Sequence, residues 1–198
     1  MTREPASVRY VVVPGIWNSG DTHWQTLWER SWGDRAARIA PSSWEHPDRD
    51  DWVAAIDDAV RASAAAAPGS ATVIVAHSLG CLAAWAWLEQ HDVGGHDDAV
   101  RGALLVAPPD PDASAFPDDA TGFGAPHAAV STPVLLVASA DDPFCAIDRA
   151  RGFAATLGAT FVDVGDLGHV NVASGLGAWP AGRDLLGRLL GEAADSSS

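Results

Sequence analysis

Lysine is missing from this 198-residue chain, whose twelve basic residues are all arginines. That excludes chemistry built on a lysine amine: a Schiff base, a P-loop lysine or a serine–lysine dyad. Cysteine is scarce as well. Cys81 and Cys145 are too few for a disulfide framework or a structural zinc site, and both read as small buried residues. No apolar run approaches the roughly 18 residues that a membrane-spanning helix requires. The first residues, Met1 to Pro5, lack the apolar segment of a signal peptide, so a cytoplasmic location is expected. Positive charge is outweighed: 26 acidic residues leave a formal net charge of −14. Nucleic acid and anionic membranes attract basic surfaces, so neither is an expected partner. No H-E-x-x-H or Cys/His spacing suggests a metal, and no cofactor is expected. The loop Gly15 to Gly20 superficially resembles a phosphate-binding loop, but no Gly-Lys-Ser/Thr ends it and no G-x-G-x-x-G occurs.

What is present is ordinary globular composition, 47% hydrophobic and 19% charged. Residues 1–191 are expected to form one domain, with 192–198 a frayed polar tail. Short apolar runs at 9–13, 38–40, 72–76, 100–106, 133–138 and 160–164 read as strands. Helical spacing recurs between them, at 22–32, 51–66, 79–91, 147–157 and 180–191. In 51–66 the stripe Trp52, Val53, Ile56, Ala59, Val60 marks one buried face. This alternation predicts an α/β protein: a three-layer α/β/α sandwich around a mainly parallel sheet of about six strands. Segment 108–128, proline-rich and without period, reads as a long loop with room for one helical turn. It is too short for a cap domain, so a site beneath it should be open.

The densest chemical signal is Ala76-His77-Ser78-Leu79-Gly80, between the run ending at Val75 and the helical pattern from Leu82. Strand, small-x-Ser-x-Gly turn and helix make a nucleophile elbow, which exposes a serine hydroxyl above the sheet. A serine needs a general base, and in such sheets acid and base follow it in the order Asp or Glu, then His. Asp141-Asp142-Pro143 follows the fifth run and Gly165-Asp166-Leu167-Gly168-His169 the sixth. Ser78 is the expected nucleophile and His169 the expected base. Asp142 is favoured as the acid over Asp141, because Pro143 fixes a turn after it. Asp166 is expected to shape the histidine's turn, and Asp148 to begin a helix. The Leu79 amide, at a helix N-terminus, is one expected oxyanion donor. Ile16 is the expected second donor, with Trp17 as the alternative, since Gly15 lets that loop turn in closely.

The remaining histidines and the nine tryptophans carry weaker signals. His77 reads as a shoulder of the elbow and His23 as a residue at the start of the first helix that lines the pocket. His46, His91, His96 and His127 read as loop or helix-end residues. Trp24, Trp28, Trp52 and Trp85 fall on apolar helix faces and read as core. Trp17, beside the oxyanion donor, is placed near substrate.

Together these residues resemble the family of small α/β-hydrolase-fold serine hydrolases that includes retinoblastoma-binding protein 9 and its bacterial relatives. The markers are Val13-Pro14-Gly15, His23-Trp24-Gln25 with Trp28-Glu29, Ala76 to Gly80, Asp141-Asp142-Pro143, and Gly168-His169-Val170-Asn171. Ser174-Gly175-Leu176-Gly177 with Trp179-Pro180 is similar to the bacterial branch. The resemblance spans nearly the whole chain, with Ala76 where glycine is commoner. It implies the α/β-hydrolase fold without a large cap domain, and Ser78, Asp142 and His169 as nucleophile, acid and base. The implied activity is acyl-ester hydrolysis of a small-molecule substrate through an acyl-enzyme, by a monomer or homodimer. Two alternatives stand beside it. One is a non-catalytic protein-interaction module on the same fold, since vertebrate members are also described as protein-binding. The other is a peptidase or thioesterase using the same triad.

Overall fold

The computed structural model describes residues 8–91 and 100–191. Six strands form one parallel sheet: β1 (Val8–Val13), β2 (Ala36–Arg38), β3 (Ala71–His77), β4 (Val100–Val106), β5 (Val134–Ala138) and β6 (Thr160–Asp163), in the order β2-β1-β3-β4-β5-β6. The helices are α1 (Trp24–Trp32), α2 (Arg49–Ala66), α3 (Leu79–His91), α4 (Ile147–Leu157) and α5 (Pro180–Leu189). Among the described residues, no helix is long and apolar enough to cross a membrane.

Side chains of a strand alternate between faces, and the core divides accordingly. Val11, Val13, Ile74, Ala76, Leu105 and Leu136 pack against α2, α3 and α4. Their neighbours Tyr10, Val12, Val73, Val75, Leu104 and Val137 pack against α1 and α5 on the opposite face. Both faces are covered, which is why the central strands read as unbroken apolar runs. The order reverses direction between β1 and β3, and such a switch point leaves a crevice beyond the carboxyl ends of the strands. The loop after β1 and the turn after β3 flank that crevice.

Boundaries shift from the sequence reading by one or two residues at several elements, and three of these shifts have a plain physical reason. The edge strand β2 lies at Ala36–Arg38 rather than 38–40; three residues are too few for periodicity to fix a boundary. Helix α1 starts at Trp24, because His23 is its N-cap and its Nδ1 accepts the Gln25 amide at 3.2 Å. Helix α2 starts two residues early, at Arg49, where the Asp48 carboxylate accepts the amides of Asp50 and Asp51. Loop 108–128 contains turns and no helix. A bridge between Thr121 and Asp48 ties it to the start of α2. The tail 192–198 lies outside the described residues, as does His96.

Candidate active site

One residue, Ser78, separates β3 from α3, and it holds a left-handed φ of 54°. This backbone is strained for a residue bearing a Cβ. Two bonds fix it: the Ser78 amide donates to the Val106 carbonyl at 3.0 Å, and the Ser78 carbonyl accepts the Cys81 amide at 2.9 Å. The turn is also too crowded for larger neighbours. A Cβ on Gly80 would lie 2.5 Å from the Val13 carbonyl oxygen, and one on Gly15 would lie 2.8 Å from the Ser78 Cβ. Steric contact therefore explains the small residues of the motif, including fully buried Ala76.

His169 Nε2 lies 2.8 Å from Ser78 Oγ. Its Nδ1 lies 3.0 and 2.9 Å from the two oxygens of Asp142. An ionised carboxylate only accepts, so Nδ1 carries the proton and Nε2 presents a lone pair to the serine hydroxyl. Asp142 Oδ1 also accepts the Phe144 amide at 2.9 Å, which orients the carboxylate from behind. The neighbouring Asp141 points the other way. It accepts from the Ser139 hydroxyl and from the Gly168 amide, each at 2.7 Å, and these bonds hold its carboxyl below the usual carboxylate range. Asp141 thus anchors the histidine's loop while Asp142 meets the imidazole.

Asp166 does not shape that loop. It is exposed, and the turn is held instead by Asp141, by Ser139 Oγ accepting the Leu167 amide at 2.8 Å, and by Asp163 accepting the Gly165 amide at 2.9 Å. On the far side of His169, Asn171 and Ser174 form a reciprocal capping box, and Ser174 Oγ donates back to the Leu167 carbonyl. That gives a structural reason for the Gly-His-x-Asn and Ser-Gly pattern: small polar residues close the backbone on both sides of His169.

The support continues inward. His77 Nε2 donates to the His169 carbonyl at 2.9 Å, linking the elbow to the backbone of the loop that carries His169. Trp24 Nε1 donates to the Val170 carbonyl at 2.9 Å. Buried Gln25 donates to the Val13 and Val75 carbonyls, each at 3.1 Å, and accepts from Ser19 Oγ at 2.7 Å. It clamps the ends of β1 and β3 and ties the intervening loop to them. These roles were not foreseen, because a spacing pattern shows an apolar face but not where its polar tips reach. Trp28, Trp52 and Trp85 are core residues as expected, and each also donates its indole N–H to a loop carbonyl. Cys81 and Cys145 are buried, and burial raises both thiols, Cys145 to about 12.

His23 and His77 face each other with ring centroids 4.8 Å apart. Burial, then Arg38 and His169, lowers His23 from 6.5 to about 4. Burial, then the charges of His169 and His23, lowers His77 well below 6.5. Between about pH 6.5 and 4 the unfolded chain therefore binds protons that the folded chain refuses. Stability should rise with pH through this window and be lost on acidification, by up to about 1.4 kcal/mol per pH unit for each imidazole. Urea midpoints at pH 7.5 and 5.0 measure this. The drop should shrink in His77→Gln; equal midpoints in the unmodified chain would contradict the assignment.

A cavity of about 600 Å³ opens above Ser78. Gly15 to Gly20, His23, His169 and Val172 line it, with Pro109, Ala115, Pro117, Asp118 and Asp119 contributing from loop 108–128. As the first residue of α3, Leu79 has no intrahelical acceptor for its N–H. The Ile16 N–H bonds to no acceptor among the described residues, whereas the Trp17 N–H donates to the Trp44 carbonyl at 2.9 Å. Of the two candidates in that loop, Ile16 has the free donor. The Trp17 side chain is 71% exposed at the cavity wall. His46 sits on the surface beside Asp119, His91 ends α3, and His127 lies in a loop, all as expected.

The family model for serine hydrolases matches residues 10–188. The chain belongs to that family. Its structural relatives agree. A protein of Pectobacterium atrosepticum described as a YdeN-like hydrolase is 32% identical, with a TM-score of 0.74 over 92% of this chain and 90% of that one. The ydeN gene product of Bacillus subtilis is 19% identical, with a TM-score of 0.69 over 94% and 100%. Est1E of Butyrivibrio proteoclasticus, solved with ferulic acid, is 12% identical, with a TM-score of 0.65 over 95% and 91%. The last two establish likeness of fold alone. No curated protein matches this serine hydrolase in sequence. The α/β-hydrolase fold, with an open sheet and no large cap, is as the sequence resemblance implied.

Proposed function

We propose that this serine hydrolase cleaves acyl esters through an acyl-enzyme on Ser78. The observation that carries the reading is the unbroken hydrogen-bonded line Asp142–His169–Ser78 at the floor of an open cavity. His169 Nε2 takes the hydroxyl proton as Oγ bonds to the ester carbonyl carbon. The resulting oxyanion accepts from the Leu79 and Ile16 amides. When the carbon–oxygen bond to the alcohol breaks, His169 returns the proton to the leaving oxygen. Water then attacks the acyl-enzyme, with His169 taking its proton, and the acid leaves as Oγ is reprotonated. Asp142 holds the tautomer and stabilises the imidazolium throughout. A fluorophosphonate probe tests the assignment: the unmodified chain should be labelled and Ser78→Ala should not. Labelling retained in Ser78→Ala would overturn it.

A further inference from the structure

Three large apolar side chains are exposed among the described residues: Trp17 at 71%, Val172 at 52% and Phe144 at 36%. Single exposed hydrophobics scattered over a surface need no explanation. These are not scattered. All three line the cavity above Ser78, and they reach it from separate segments: the loop after β1, the turn after β5 and the segment after His169. Phe144 sets its ring edge-on to the His169 imidazole, with centroids 4.6 Å apart. Apolar surface kept out of the core and gathered at one rim is the signature of a ligand-binding face.

The polar part of the same cavity carries the opposite information. Among the described residues no arginine lines it, while Asp118 and Asp119 do. The arginines nearby are already engaged. Arg38 pairs with Glu29 and donates to the Asn18 side chain and the Ser19 carbonyl. Arg149 pairs with Asp110 and Asp112. On a chain of net charge −14, no arginine among the described lining residues compensates an incoming phosphate, and the two carboxylates repel one.

We infer that Trp17, Phe144 and Val172 form an apolar subsite for uncharged medium-chain or aryl acyl substrates, and that the site rejects acyl groups carried on anionic phosphate-bearing thiols. This rests on the ester-hydrolase reading above and narrows it to a substrate class. The apolar rim buries the acyl chain. Asp118 and Asp119, the latter beside the exposed His46, and the absence of an arginine from the described lining disfavour a carrier such as coenzyme A.

Two paired assays on the intact chain test the inference. In the first, kcat/KM for p-nitrophenyl hexanoate is divided by that for the acetate, two esters with the same leaving group. The ratio should exceed one, and Trp17→Ala and Val172→Ser should each lower it several-fold, about tenfold in the double variant. Because it is internal to each variant, partial loss of folded protein leaves the ratio unmoved. In the second, hexanoyl-N-acetylcysteamine is compared with hexanoyl-coenzyme A, the same acyl thioester without and with phosphates. The neutral thioester should be preferred at least ~10-fold at low salt, and the margin should narrow as salt screens the carboxylates. Equal use of both thioesters, or a hexanoate-to-acetate ratio unchanged in the variants, overturns the subsite and leaves the hydrolase reading in place. No Ser78-dependent turnover of any of the four substrates overturns both.

Discussion

Ser78→Ala and His169→Ala should each lower kcat for p-nitrophenyl butyrate by about 10^4- to 10^6-fold, and the double variant should be no slower than the worse single one. The reason is that the two side chains act as a unit. Without His169, nothing within 2.8 Å of Ser78 Oγ takes its proton. His77, whose ring centroid lies 5.1 Å from that of His169, spends its Nε2–H on the His169 carbonyl and is held neutral by burial. Without Ser78, the imidazole has no alcohol to activate, and the free amides of Leu79 and Ile16 contribute only residual catalysis. Steady-state kinetics on purified variants provide the measurement. Independent, multiplicative losses would show that the two residues do not share one step. A His169→Ala variant of near-normal rate would remove the base from residue 169.

Asp142→Asn should cost about 10^4-fold in kcat, whereas Asp141→Asn should cost at least ~100-fold less and show part of its effect as lost stability. The two residues are adjacent in sequence and opposite in duty. An amide at position 142 no longer fixes the proton on Nδ1, so Nε2 ceases to be the basic nitrogen facing the serine. At position 141 the change weakens the acceptor for the Gly168 amide and the Ser139 hydroxyl, which loosens the base's loop without altering its tautomer. Kinetics and thermal melts on both variants separate the roles. The reverse ranking, with Asp141→Asn the slower enzyme, would transfer the orienting role to Asp141.

The chain's own residues made the parallel sheet, its two-sided core and the elbow legible, because burial on both faces writes continuous apolar runs and a close-packed turn demands small residues. The order of serine, aspartate and histidine was legible for the same reason: each follows a strand, and strand ends share one edge. Tertiary structure alone decided what depends on direction rather than spacing. It turned Asp142 to the imidazole and Asp141 to the loop, spent the Trp17 amide on the Trp44 carbonyl while leaving that of Ile16 free, and sent indole tips and the Gln25 amide to distant carbonyls. It also gathered Trp17, Phe144 and Val172 at one rim. Neighbours in sequence carry no record of which way a side chain points once segments dozens of residues apart compete for the same bonds; only packing settles that competition.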